Sequence, residues 1–375
     1  MRIKDCFYCL GLGCLTTAIA LGADGASSSS PQPASKPGWN AQAAARYLDQ
    51  REIWWQAWKN SQRDHETVCV SCHTVLPYAL ARPTLRRVLG EKSASEQEQA
   101  MIAGVIKRVS LWDEVKPFYD DAKYGPGKAE GSRTSEAVLN AVVLASHDAE
   151  TGHLTEPTRT AFRTVWALQH KTGESAGGWT WLNFHNSPWE ADESPYWGAS
   201  LVALAVGIAP DNMLKDPEIK ENLDLLLGYL TREYAAQPMV NKITLLWASG
   251  KWPELLSKED RGALIDSFFS LQKEDGGWSL STLNKYERHD KTPLVTKSDG
   301  FATGLISLAL EAAGVPQTQP QLAKAIHWLE TNQDPEQGRW VAYSVNRQQE
   351  PTADGKLFMS DAATGYTVLA LSKAH

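Results

Sequence analysis

Cysteine and methionine are scarce in this chain, with five of each among 375 residues. Cys6, Cys9 and Cys14 fall inside the first 23 residues, so a disulfide framework across the remainder is excluded. Positive charge is not in excess. Lys and Arg number 37 against 44 Asp and Glu, and the absence of any basic run removes the electrostatic footprint of a nucleic-acid binder. Long apolar runs are missing beyond the N-terminus, and no segment sustains the period-two alternation of half-buried strands, which excludes a sheet protein. Also missing are G-x-S-x-G, a P-loop and H-E-x-x-H, the local signatures of serine-hydrolase, nucleotide and zinc-protease chemistry.

What is present begins with an export pattern. Arg2 and Lys4 precede the apolar run CFYCLGLGCLTTAIALG, and the small residues Gly22 and Ala23 offer a cleavage point, so residues 1–23 read as a signal peptide of an exported, periplasmic protein. An uncleaved anchor, or lipidation at Cys14, would instead give peripheral membrane contact. Residues 24–38 contain ASSSSPQPASKPG, a Ser/Pro tether with too little apolar content to pack. The folded part begins near Trp39, which is expected to matter little to stability because it borders that tether. Removal of the leader leaves 35 basic and 43 acidic residues, a net charge of −8.

Three stretches then repeat one plan. Gln169 to Gly198 carries a Gly-Gly-Trp turn and an acidic start to a new apolar helix; Gln272 to Gly304 reads QKEDGGW followed by SDGFATGLISLAL; Gln333 to Gly365 reads QDPEQGRW followed by SDAATGYTVLAL. A Gln amide is expected to donate to the last carbonyls of its own helix while the Trp ring covers the turn, stapling each unit to the next. Gln272 to Trp278 fits Q-x-x-x-G-x-W without insertion; the other two copies carry one and four extra residues. This resembles the QW repeat of the squalene-hopene and oxidosqualene cyclases, a terpenoid cyclase/prenyltransferase group of α/α toroids, over about Thr134 to His375.

Apolar periodicity predicts about twelve helices, near 41–59, 74–88, 95–112, 133–147, 157–170, 194–209, 217–233, 239–250, 253–272, 299–314, 319–332 and 361–373. Those starting near Glu193, Asp299 and Asp361 are apolar nearly all round, and neighbours such as KEDRGALIDSFFSLQ are amphipathic. Alternation of the two kinds predicts an all-α single domain, an (α/α)6 toroid of six inner and six outer helices. Residues 39–133 would form N-terminal helices with a cofactor-attachment segment, and 134–375 the cyclase-like repeats.

The attachment segment is VCVSCHT, where Cys69, Cys72 and His73 have the spacing C-x-x-C-H of covalent haem c attachment. The thiols would form thioethers to the vinyl groups and His73 would bind iron. The alternatives are a dithiol or disulfide pair, which lacks its usual βαβ context, and zinc, which lacks two further ligands. Candidates for the sixth iron ligand are His65 and Met101, and Trp54, Trp55 and Trp58 lie just upstream as packing residues.

The segment Glu190-Ala-Asp192-Glu193-Ser194 resembles the acidic D-x-D-D-T motif of squalene-hopene cyclases, with Glu at two of the acidic positions and Ser for Thr. The resemblance implies Asp192 as catalytic acid flanked by Glu190 and Glu193. Carboxylates crowded in a dry cavity would hold a proton at neutral pH, and Trp179, Trp181, Phe184, Trp189, Tyr196 and Trp197 would wall a carbocation. Acids at this place also serve as helix caps, as Asp299 and Asp361 are expected to do at their helix starts. Two functions follow as expectations. One is an exported haem protein whose toroid binds and acts on a hydrophobic, isoprenoid-like molecule, by acid-initiated cyclisation or isomerisation or by haem redox chemistry. The other is a non-enzymatic electron-transfer cytochrome that uses the toroid to dock a redox partner. An aromatic-lined empty axis favours the first, and an axis filled by side chains the second.

Overall fold

The computed structural model describes residues 38–349 and 356–373; the leader and nearly all of the Ser/Pro tether lie outside the described residues. The helices are α1 (Ala41–Ala57), α2 (Val75–Leu89), α3 (Glu96–Ser110), the single turn α4 (Asp121–Tyr124), α5 (Lys128–Thr151), α6 (Glu156–Ala167), α7 (Ser194–Ile208), α8 (Lys220–Glu233), α9 (Met239–Ser249), α10 (Lys258–Leu271), α11 (Gly300–Ala312), α12 (Pro320–Thr331) and α13 (Phe358–Lys373). Helices α2, α5, α7, α9, α11 and α13 pack one on the next, and α13 returns to α2, closing an inner ring. The remaining long helices α1, α3, α6, α8, α10 and α12 form the outer layer. The protein is therefore an (α/α)6 toroid, with α2 in its inner ring and α1 and α3 in its outer layer.

The sequence builds this arrangement locally. In α7, α11 and α13 almost every residue is buried, as their all-round apolar character requires. Outer helices bury one stripe, and α10 encloses only Leu264 and Phe268. Ends are set by side chains: Ser95 and Glu98 make a reciprocal capping box on α3, and Ser257 accepts from the Asp260 amide at 3.0 Å to open α10. Because Ser257 caps it, α10 starts after the short turn Pro253–Leu255, where a single helix from 253 was expected. Helix α5 is longer than expected at both ends, running until Gly152 closes it with φ +70°.

The Gly-Trp turns are staples, with the roles of Gln and Trp distributed differently from expectation. It is the Trp that serves the preceding outer helix. Trp179, Trp278 and Trp340 donate their ring N–H to the carbonyls of Val165, Phe268 and Leu329 at 2.9, 2.7 and 2.7 Å. Each Gln instead donates across to the start of the next outer helix: Gln169 to the Asn222 carbonyl (3.0 Å), Gln272 to Gln321 (2.7 Å) and Gln333 to Asn40 (3.0 Å). It bonds the turn's own Gly carbonyl as well, at 3.1, 2.7 and 2.8 Å. A Gln at a helix C-terminus points past its own last turn, which is why the neighbouring helix receives the amide. Since Asn40 caps α1, the third staple joins the chain's last repeat to its first helix and closes the outer layer. Gly338, at φ +77°, lets that turn lie on α1, where a Cβ would stand 2.5 Å from the Ala43 carbonyl. Trp39 belongs to the same joint. It is 5% exposed with its ring centroid 5.9 Å from that of Trp340, so it is a core residue and not a dispensable flank.

Aromatic side chains of three inner helices and of the loop before α7 meet one another. Trp189 packs on Phe301, Phe301 on Tyr366 and Tyr366 on Trp247, with centroid separations of 5.6, 5.9 and 6.2 Å.

Candidate functional site

The C-x-x-C-H segment lies just before inner helix α2, tied to its neighbours by hydrogen bonds. Two-residue strands β1 (Gln62–Arg63) and β2 (Thr67–Val68) pair antiparallel just before it. The Cys69 amide donates to the Ser61 carbonyl at 2.8 Å, and the Cys69 carbonyl accepts the Trp55 ring N–H at 2.7 Å. Ser71 then accepts from the Thr74 and Val75 amides at 3.2 and 3.0 Å, which starts α2 immediately after the histidine. Motif and helix are one unit.

His73 has a defined tautomer. Its Nδ1 lies 2.9 Å from the Thr74 hydroxyl, and that hydroxyl donates to Asp361 Oδ2 at 2.8 Å. With its proton so committed, the hydroxyl accepts from Nδ1–H, which leaves the Nε2 lone pair as the ligating position. Asp361 is in turn fixed by Tyr47 Oη (2.7 Å), Arg51 Nε (2.7 Å) and Arg51 Nη2 (3.0 Å). Asp361 was expected to cap a helix start. Helix α13 begins three residues earlier, and the carboxylate is instead buried as the outer partner of the histidine network. Burial, aided by the Arg51 charge, pushes the His73 imidazole down to about 3, so it stays neutral as a metal ligand must. The ring stacks on Phe358 (3.9 Å, 28°) and meets Trp55 edge-on at 5.1 Å, with Trp189 at 5.8 Å.

Both thiols are free. Burial raises Cys69 to about 12 and Cys72 well above its usual range, which keeps them as thiols and unsuits them to dithiol exchange. They face a small cavity of about 40 Å³ that is also lined by His73, Tyr119, Glu136, Trp181 and Glu190. Glu136 is fully buried and paired with the equally buried Arg108. Glu190 arrives on a short hairpin: Asn186 and Glu190 exchange two backbone hydrogen bonds of 2.8 Å, and Asn346 holds Ser187 through bonds of 2.9 and 2.7 Å. Burial lifts the Glu190 carboxyl to about 7.

The acidic motif is thus dispersed. Glu190 alone faces the cysteine cavity. Asp192 is directed to solvent with its side chain 81% exposed, bonded to Asn183 and 3.6 Å from His185, so it lacks the dry surroundings that a protonated catalytic acid needs. Glu193 accepts from Asn284 at 3.1 Å, away from both. Neither sixth-ligand candidate lines the cavity: His65 is on the β1–β2 turn beside Asp64, and Met101 is buried between α2, α3 and α5. Trp54 and Trp58 stack at 5.0 Å and reach Phe358, forming a half-buried aromatic shelf beside His73. Thr74, Arg51 and Phe358 carry no mark in the sequence beyond the adjacency of Thr74 to the motif, and Asp361 reads there only as a helix cap.

The donor set fits haem c: two neutral thiols and an imidazole of the right tautomer around one cavity. Room is the counterweight. A cavity of about 40 Å³ holds a water or two, so the space between these side chains as they stand does not admit a porphyrin. Among the described residues no group of three or more His, Cys, Asp or Glu side chains gathers for a metal ion.

No family model matches this chain, and no curated protein does. Solved structures share the fold. A polysaccharide lyase has a TM-score of 0.52 at 14% identity, covering 89% of this chain and 97% of its own. An inactive variant of an α-1,6-mannanase of Salegentibacter sp. HEL1_6, in complex with α-1,6-mannotriose, has 0.52 at 11%, covering 88% and 100%. A type II terpene cyclase from Scytonema scores 0.47 at 14% over 89% and 98%, too distant to support an argument. Identity this low establishes a common toroid and nothing about the site.

Proposed function

We propose that this protein is an exported c-type cytochrome that carries one haem on an α/α toroid and transfers electrons, with the toroid as rigid support and docking body. The observation behind this reading is His73: neutral, with Nδ1 committed through Thr74 to Asp361 and Nε2 left for iron, beside two free thiols in C-x-x-C-H spacing. Cys69 and Cys72 would form the thioethers, and His73 would supply the axial nitrogen. Haem c, when bound, supplies one-electron redox chemistry. The protein's own contribution is to exclude water with Trp55, Trp189 and Phe358, to hold the imidazole orientation through Asp361, and to offer the half-buried Trp54 and Trp58 as a surface for a redox partner. The aromatic contacts among Trp189, Phe301 and Tyr366 take up space between the inner helices, which favours this reading over substrate turnover inside the ring.

A second reading, haem-linked chemistry on a hydrophobic isoprenoid-like molecule, draws on Glu190, whose buried carboxyl shares the cavity with the cysteines and holds its proton up to about pH 7. Carbohydrate activities of the fold neighbours are not carried over, because their identity to this chain is 11–14%. The test is the optical spectrum of the reduced protein with and without carbon monoxide, after export in a host that matures c-type cytochromes. A haem spectrum unchanged by carbon monoxide supports electron transfer, a shifted one supports the second reading, and a colourless folded protein overturns both.

A further inference from the structure

A second, larger opening lies on the outer side of the ring, where α2, α3 and α5 diverge. It encloses about 270 Å³ and is walled by Ala79 and Pro83 of α2, Met101, Ile102 and Ile106 of α3, and His147 of α5. None of these residues lines the cysteine cavity. We propose that this groove binds a small neutral apolar molecule of about ten carbons bearing one hydroxyl or carbonyl group.

Size sets the class. A dry apolar cavity of about 150 Å³ admits benzene, so 270 Å³ corresponds to about ten or eleven carbons. The walls are apolar because small and aliphatic side chains face one another across the opening, with Ala79, Ala94 and Ala103 leaving the room that Met101, Ile102 and Ile106 border. Met101, 2% exposed, forms an adaptable floor. Polar features are few. Pro83 has no N–H, so the Ala79 carbonyl one turn earlier lacks its helical donor, and both residues belong to the wall. His147 adds an imidazole on the opposite side.

The rim determines charge. Arg86 is committed to Glu98 through Nη1 at 2.7 Å and to Glu150 through Nη2 at 3.5 Å, and Glu98 further accepts the Ser95 amide at 2.9 Å. Arg87 pairs with Glu150 as well, so two cations face two anions. An anionic head group gains no partner here and would lose its hydration, whereas a hydroxyl or carbonyl is satisfied by one hydrogen bond.

Calorimetric titration of the full mature chain with geraniol and, separately, with decanoate tests this. Saturable binding of geraniol is expected, with decanoate at least about tenfold weaker. Ala103→Trp, placed at an exposed wall position of α3, should abolish the geraniol signal while leaving the circular dichroism unchanged. Should that variant misfold, Gln99→Trp at the exposed rim makes the same test. Absence of saturation, equal binding by a folded groove-filled variant, or decanoate binding as tight as geraniol would each overturn the proposal. None of these outcomes depends on haem.

Discussion

At the residue scale, the account rests on which carboxyl does what. Glu190 faces the cysteine cavity and Asp192 faces water, although two positions separate them in sequence. Glu190→Gln should therefore perturb the haem spectrum, whereas Asp192→Asn should leave spectrum and stability unchanged; the reverse pattern would return the acidic motif to the cyclase-like role that the resemblance implied. A different buried acid contributes to the pH dependence of stability. Glu52 on α1 is 0% exposed, accepts one bond from Gln56 at 2.7 Å, and its Oε2 has no hydrogen-bond partner among the described residues. Burial raises it from 4.5 to about 7. The folded state therefore binds more protons than the unfolded state between pH 4.5 and 7, and stability falls as pH rises through that window. The shift corresponds to roughly 3 kcal/mol. Glu52→Gln keeps the Gln56 bond and removes the charge, so urea midpoints measured from pH 4.5 to 8 should show the variant gaining on the wild type as pH rises. A constant difference across the series would contradict this.

At the element scale, the joints between repeats hold the ring closed. Trp340 is fully buried, donates to the Leu329 carbonyl and packs tilted against Trp39, so Trp340→Ala should cost about 3–5 kcal/mol in chemical denaturation. Trp39→Ala should cost a comparable amount, because its ring is core despite its place beside the tether. A loss under about 1 kcal/mol at both positions would mean that the last turn does not fasten the first helix. Much of this was legible in the sequence. The apolar composition of α7, α11 and α13 announced an inner ring, and the Gln-Gly-Trp spacing announced the joints. The direction of the Gln bond was not legible, since it depends on where the next outer helix begins in space, a fact encoded by the whole ring and by no local window. Asp361 was misread for the same reason: an acid before an apolar run looks like a cap, and its partners Tyr47, Arg51 and Thr74 come from the far end of the chain.

At the scale of the whole molecule, the toroid brings α1, the motif before α2 and the start of α13 together around His73. The motif itself was fully legible, because C-x-x-C-H is a contiguous signature; the surroundings that fit His73 for iron were not, because Thr74, Asp361, Arg51 and Phe358 are gathered from three separate segments. The proposed function depends above all on Cys69 and Cys72 carrying haem covalently. Intact mass of the denatured protein, after export with the c-type maturation machinery, tests it most directly. One haem is expected on the wild-type chain, surviving denaturation and absent from Cys69→Ser/Cys72→Ser; a folded wild-type chain at its unmodified mature mass would overturn covalent attachment.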